Sequence, residues 1–312
     1  MIVALSGGVG GAKLALGLSR VLPPQDLLVV CNTGDDFEHL GLSISPDLDT
    51  VMYTLAGLAN PEVGWGRRDE TWSFMETLVD IGGETWFRLG DRDVAVHVER
   101  TRRLRAGESL SSVTADLCRR LGVAPRVLPM SDDPVRTRVR TDDGWLDFQD
   151  YFVRLHCEPV TRELAFHGAE TAHAQPDFLA ALREPGLQAV VICPSNPFIS
   201  IEPILAVPGV RDALVACKAP VIAVSPIIAG RAIKGPTAKM MTELGMDPSA
   251  VVVADRYSDF LNGYVIDHAD MAEVVSIDAK VTLAQTLMTT LEDREALART
   301  VLDAAAVLRR RK

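Results

Sequence analysis

The sequence predicts an α/β protein built on a parallel β-sheet with both faces covered, and three observations predict it. Short apolar runs rich in Val and Ile recur at 2–5, 27–31, 127–130, 189–193, 221–224 and 251–254. They are continuous rather than alternating, the pattern of strands buried on both sides. Helical patterns fall between them, at 11–22, 50–58, 109–121, 210–216 and 236–244. A β-then-α rhythm calls for a parallel sheet with right-handed crossovers. Finally, polar segments follow the apolar runs: Ser6-Gly7-Gly8-Val9-Gly10-Gly11, Asn32-Thr33-Gly34-Asp35-Asp36, Ser131-Asp132-Asp133-Pro134, Pro194-Ser195-Asn196-Pro197, and the stretch from Ser225-Pro226 to Gly235-Pro236. All strand C-termini of an open parallel sheet share one edge, and ligands bind in the crevice outside it. These distant segments are therefore expected to meet in one cleft.

Two regions interrupt the rhythm. Residues 60–104 carry Trp65, Trp72 and Trp86 among polar residues without a clear buried strand. Residues 135–175 open with alternating Val135, Thr137, Val139 and Thr141, a half-exposed hairpin pattern turning at Asp142-Asp143-Gly144. Both read as insertions into a single domain spanning 1–312, placed to wall the cleft. The run 309–312 ends a helical pattern and reads as a solvated helix end favoured by the macrodipole.

Composition narrows the function. Of 312 residues 47% are apolar and 24% charged, enough for a sizeable core and too mixed for disorder. The formal net charge of −10 argues against bulk-charge binding to nucleic acid. No apolar run reaches the roughly 18 residues of a membrane span, and the start lacks a basic, signal-like stretch. Five scattered cysteines without a C-x-x-C predict a reducing cytoplasm, no disulfide framework and no zinc site.

The first glycine loop fits neither familiar phosphate loop. A Walker A loop needs Gly where Ala12 stands and a hydroxyl where Leu14 stands, and the dinucleotide fingerprint from Gly8 meets Lys13 instead of glycine. What remains is a glycine-rich strand-to-helix turn whose bare N–H groups suit an anion, with Lys13 adding charge. A tight turn without ligand is the plainer alternative. Asp35-Asp36 and Pro46-Asp47-Leu48-Asp49-Thr50 offer hard oxygen ligands for Mg²⁺ beside that anion site. Asp47 also fits an N-cap, with Asp49 in the first turn. Leu89-Gly90-Asp91-Arg92-Asp93 reads either as a site or as a paired helix start. Met130 to Pro134 reads as a site or a turn. Asn196, held between prolines, is rigidly presented. No histidine metal pattern and no Ser/His/Asp arrangement can be assembled. Cys193 reads as a buried structural thiol. Arg100, Arg102, Arg103 and Arg105 read as a solvated helix face.

Taken in order, Ser6 to Lys13, Pro46 to Thr50, Leu89 to Asp93, Met130 to Pro134, Pro194 to Pro197, Ser225 to Ile228 and Gly235-Pro236 resemble the CofD family, the 2-phospho-L-lactate transferases of coenzyme F-420 biosynthesis. Two departures stand out: Cys193 and Ala229, where the family more often has glycine. The resemblance implies a Rossmann-like, usually dimeric fold. It implies transfer of a phospholactyl, phosphoenolpyruvyl or phosphoglyceryl group from its guanosine diphosphate ester to the ribityl hydroxyl of the deazaflavin FO. The products are F-420-0, or its dehydro form, and GMP, and the metal is Mg²⁺. It assigns the guanosine diphosphate part to Gly8, Gly10, Gly11, Lys13, Ser195, Asn196 and Gly235. FO goes to Asp47, Asp49, Asp91, Asp93 and the loop of Met130, Ser131, Asp132 and Asp133. Asp36, Asp47 and Asp49 are the metal candidates, and Asp47 and Asp49 the catalytic ones. The three tryptophans are candidates to shield the FO ring. The rivals are a regulator of the YvcK type, which shares the glycine loop and binds nucleotide sugars, and a nicotinamide-dependent dehydrogenase, which the failed fingerprint disfavours.

Overall fold

A computed structural model describes residues 1–310; the last two residues of the C-terminal run lie outside it. The chain runs through β1 (Ile2–Ser6), α1 (Gly8–Val21), β2 (Leu27–Cys31), α2 (Pro46–Leu55), α3 (Asp91–Arg105), α4 (Leu110–Arg120), β3 (Arg126–Pro129), β4 (Ala189–Ile192), β5 (Val221–Val224), α5 (Ala250–Asp255), β6 (Gly263–Asp267), β7 (Lys280–Ala284) and α6 (Leu291–Arg309). The seven strands form one sheet in the order β3-β2-β1-β4-β5-β6-β7. Every neighbour is parallel: Ile2 lies opposite Leu27 on one side and Ala189 on the other. The order reverses between β1 and β4, so the crevice opens at their C-terminal ends.

The continuous apolar runs follow from two-sided burial. Val3, Leu5, Leu28, Val30, Val190 and Ile192 pack into one core. Their sequence neighbours Ile2, Ala4, Leu27, Val29, Ala189 and Val191 pack into the other. Each such side chain contributes roughly 1.5–3 kcal/mol through burial. On the second face α1 meets α6 closely: a Cβ on Gly17 would stand 2.1 Å from the Arg294 carbonyl oxygen.

The expected Rossmann-like architecture is therefore present, with two corrections. Residues 251–254 are not a strand but lie in α5, whose N-terminus Ser249 caps by accepting from Val252 N–H. The sheet's outer strands β6 and β7 were absent from the sequence reading. Residues 60–104 hold no strand of the main sheet and contribute the helix Ser73–Asp80 and most of α3. The hairpin reading of 135–147 holds: Arg136–Thr141 pairs antiparallel with Gly144–Asp147, and Glu163–His167 adds a third strand. Among the described residues no helix is long and apolar enough to cross a membrane.

Candidate functional site

A cavity of about 830 Å³ opens at the switch point, over the ends of β1, β2, β4 and β5. One half is built by the strand-end loops. Gly7 occupies the N-cap of α1 and brings no side chain to cap it. The glycines there are required by packing. A Cβ on Gly10 would lie 2.2 Å from the Pro194 carbonyl oxygen, and one on Gly7 would lie 2.5 Å from Ser200 Cβ. Gly8 has φ of 63°, the left-handed region that favours glycine. Glycine thus lets the β1 and β4 loops close on each other. Gly11 serves the same contact, against the hydroxyls of Ser6 and Ser195, and does not reach the cavity.

Two lysines face this half. Lys13 Nζ donates to the Met288 carbonyl (2.8 Å) and Lys234 Nζ to the Val63 carbonyl (2.5 Å). Neither has an ion-pair partner among the described residues. Burial, then the charges of Arg294 and Lys234, lower the Lys13 pKa. Uncompensated cations around a helix N-terminus suit a polyanion.

Asp47 joins that half. Its carboxylate accepts from Gly8 N–H at 2.5 Å and from Asn32 Nδ2 at 3.0 Å. The same Asn32 nitrogen lies 3.2 Å from Asp35, so two buried carboxylates meet on one amide. Burial pushes Asp47 up to about 6. Burial, then the neighbouring Asp47 and Asp36, push Asp35 well above the carboxylate range. No salt bridge reaches either among the described residues. Hard oxygens that resist ionisation for want of a cation form a donor set that fits Mg²⁺.

Asp49 differs. Both its oxygens are taken by the guanidinium of Arg100, one at 3.0 Å and the other in a short contact. Arg100 is 1% exposed, so the sequence reading of it as part of a solvated face is corrected. Arg102, paired with Glu99, and Arg105 do occupy that face, whereas Arg103 is mostly covered and pairs with Glu108 and Asp116. Asp93 accepts from the Tyr53 hydroxyl at 2.6 Å. Burial pushes its carboxyl up, but His97 and Tyr53 outweigh it and the pKa lies below the ordinary value. Single ligand atoms of Asp49, Asp93 and His97 lie within 4.8 Å of one another.

The other half is aromatic. Tyr53, Trp65, Trp86, Phe87, Phe148 and Phe152 line it, and Trp86 meets Phe87 edge-on at 5.7 Å. Trp72 lies outside, stacked under Arg88.

The structure thus brings Gly8, Gly10, Lys13, Asp47, Asp49, Asp93, Ser195, Asn196 and Gly235 to one cavity. Ser195 Oγ accepts from Gly7 N–H at 3.2 Å. Asn196 Oδ1 is spent on the N–H groups of Phe198 and Ile199, and its Nδ2 makes only a long contact, 3.8 Å, to Met240 Sδ. Other assignments are corrected. Asp36 turns into a neighbouring cleft, where it accepts from the Ser45 hydroxyl; burial pushes it up to about 7. Ser45, not Asp47, is the N-cap residue of α2. Asp91 accepts from Thr71 and from the N–H groups of Ser73 and Phe74, a structural role outside the cavity. Met130 is core, and Ser131, Asp132 and Asp133 bind His173 O, Ser111 N–H and His173 N–H respectively. Their strand, β3, is at the sheet edge, far from the switch point.

Asp35 belongs to the acidic segments expected at the cleft and Lys234 to the segment from Ser225 to Pro236, but Tyr53, His97 and the phenylalanines of the aromatic wall carry no site signal of their own in the sequence. One signal of spacing existed: Asp93, His97 and Arg100 fall at i, i+4 and i+7, one face of α3. Cys193 is buried in the core, where burial raises its thiol pKa. Ala229 adopts φ of 49°, in the left-handed region that favours glycine.

Comparison with known proteins adds to this geometry. The family model of 2-phospho-L-lactate transferase CofD matches residues 2–304. A phosphoenolpyruvate transferase of Kitasatospora aureofaciens is 44% identical, covering 99% of this chain and 98% of its own. A 2-phospho-L-lactate transferase of Methanosarcina mazei is 38% identical, covering 97% of this chain and 100% of its own. A solved upf0052-family protein of Bacillus halodurans superposes with a TM-score of 0.65 at 13% identity, over 96% of this chain and 98% of its own, a likeness of fold alone.

Proposed function

The chain belongs to the CofD family of 2-phospho-L-lactate transferases, and from that premise we propose that it moves a phospho-organic-acid group from a guanosine diphosphate ester to the ribityl hydroxyl of FO in coenzyme F-420 biosynthesis. The observation that carries the reading is a single cavity with a cationic, N–H-rich turn at one end, an aromatic wall at the other and carboxylates between.

The diphosphate lies on the first turn of α1 between Lys13 and Lys234, and the deazaflavin ring lies against Trp86 and Phe87. Asp35 and Asp47 would hold Mg²⁺, which when bound neutralises diphosphate charge. The ribityl oxygen attacks the phosphorus that carries the organic acid. A new P–O bond forms, the bond to the bridging oxygen breaks, and its electron pair leaves with GMP. Asp49, held in one orientation by Arg100, accepts the hydroxyl proton. Such a phosphoryl transfer needs positioning and charge neutralisation more than covalent catalysis. That accords with a buried Cys193 and no activated nucleophile. The enzyme acts in the cytoplasm as a homodimer on small molecules, without nucleic acid or membrane.

The transferred acid is one of three, and the relatives' names make phosphoenolpyruvyl the first to test. Mass spectrometry of the product from FO, Mg²⁺ and the three guanosine esters in competition tests the proposal. Dehydro-F-420-0 with GMP is the expected outcome. No phosphodiester from any donor, with a melting temperature raised only by a UDP-sugar, would favour the regulator instead.

A further inference from the structure

We propose that Arg100, which lies behind the cavity wall, is a positioning residue that fixes the proton of His97 on Nε2, and that this Nε2–H donates to an oxygen of the acceptor alcohol. The ligand's identity rests on the function proposed above; the tautomer does not.

His97 and Arg100 are each 1% exposed, and His97 lines the cavity while Arg100 does not. Arg100 Nη1 stands 3.2 Å from His97 Nδ1. A guanidinium has donors only, so Nδ1 must accept and the ring's proton sits on Nε2. A proton on Nδ1 would set two donors against each other. The other candidate acceptor for Nδ1–H, Asp49 Oδ2, is 3.7 Å away and already accepts from Arg100.

Nε2 is buried as well but has no comparable partner. Its nearest carboxylate oxygen, Asp93 Oδ1, is 3.5 Å away, close enough for the ring to lower the Asp93 pKa but too long for a full N–H···O bond. That oxygen already accepts from the Tyr53 hydroxyl. Nε2 is therefore a buried polar atom without a hydrogen-bond partner. Such atoms are rare in native proteins because each forfeits a bond it had in water. An N–H at a cavity wall, beside a carboxylate that accepts, selects a ligand presenting a carbonyl or hydroxyl oxygen. The aromatic half carries the acceptor alcohol, so the oxygen belongs to FO rather than to the guanosine diphosphate ester.

The test combines nitrogen-15 NMR of the histidine rings in the full chain with kinetics. The wild type should show His97 as the Nε2–H tautomer, and FO, not GDP, should shift that proton downfield. Arg100→Lys keeps a charge beside Asp49 but removes the fork that reaches Nδ1, so the tautomer should become mixed. His97→Phe should raise KM for FO about tenfold, the size of one buried hydrogen bond, with GDP affinity unchanged. His97→Gln, whose amide can replace Nε2–H, should recover most of that loss. A proton on Nδ1 in the wild type, or a pure Nε2–H tautomer in Arg100→Lys, would overturn the role of Arg100. Equal KM values in the Gln and Phe variants, or an equal loss of GDP affinity, would overturn the donor role. If the wild type transfers nothing to FO, the function proposed above fails, while the tautomer measurement still decides the role of Arg100.

Discussion

Asp47 and Asp49 stand two residues apart at the start of α2, yet their surroundings answer their charges differently. Asp49 is met by a buried guanidinium on both oxygens. Asp47 is met by an amide and a backbone N–H, with Asp35 beside it and no cation in contact. The helix turns about 100° per residue, so the two side chains point to different walls. The difference separates two tasks. A carboxylate already paired has one fixed orientation and suits placing a hydroxyl. A pair of carboxylates left unpaired is what the proposed cation site would use.

The largest effect that can break this contrast is on activity. Asp47→Asn should lower transfer by about 10²–10⁴-fold, measured as F-420-0 or its dehydro form per enzyme, in line with loss of a positioned charged group. Its stability at pH 8 should equal or exceed that of the wild type, because a buried, unpaired charge is removed. Activity near normal would take Asp47 out of the cation site. Asp49→Ala should behave oppositely in the fold. It strands Arg100 as a buried charge without its partner, at a cost of about 3–5 kcal/mol by urea unfolding. A variant as stable as the wild type would show that Arg100 finds another partner, and the contrast would collapse.

The pH dependence sharpens the same point. Burial raises Asp47 from 3.8 to about 6 in the folded chain. The native state then holds a proton that the unfolded state has released, so stability falls as pH rises from about 4 through about 6. The loss attributable to Asp47 is roughly 3 kcal/mol between pH 3 and pH 8, of which about 1–2 kcal/mol falls between pH 5 and pH 8, read as the wild type minus Asp47→Asn. Asp36, raised to about 7 by burial, extends the decline upward. Millimolar Mg²⁺ at pH 8 should return much of the loss to the wild type and none of it to Asp47→Asn. An equal response in both would place the cation elsewhere.

What the sequence made legible follows from the same physics. Strands β1, β2, β4 and β5 are buried on both faces, so their residues are apolar without interruption and visible as runs. Val251-Val252-Val253-Ala254 gives the same run from a buried helix, and a run that short carries no period to tell them apart. β7 is an edge strand that begins with Lys280 and is only partly buried, so it leaves no run. Within the site, loops were legible because glycine and proline punctuate them. Tyr53 and His97 were not, because their role depends on two helices meeting, α2 and α3, which no local pattern encodes. Asp91 and Asp93 show the limit most closely: one short motif, one residue facing the cavity and one capping a helix.

The smallest predicted effect concerns the loop after β3. It obeys the rule that loops follow strands at the sheet's ligand-binding edge, yet it does not line the cavity. β3 is the last strand of its side, two places from the switch point. The space beyond it is filled by the chain itself: Ser131 bridges to Ala174, and Gln175 N–H donates to the Met130 carbonyl at 2.9 Å. Asp132 accepts from Ser111 N–H in the first turn of α4, at 2.6 Å. Asp132→Ala should therefore behave as the loss of a helix cap, about 0.5–1 kcal/mol of stability, with KM for FO and for the guanosine ester unchanged within twofold. A tenfold rise in KM for FO would return the loop to the site. It would also mean that the acceptor reaches past the Asp49 wall, which the aromatic half of the cavity gives it no reason to do.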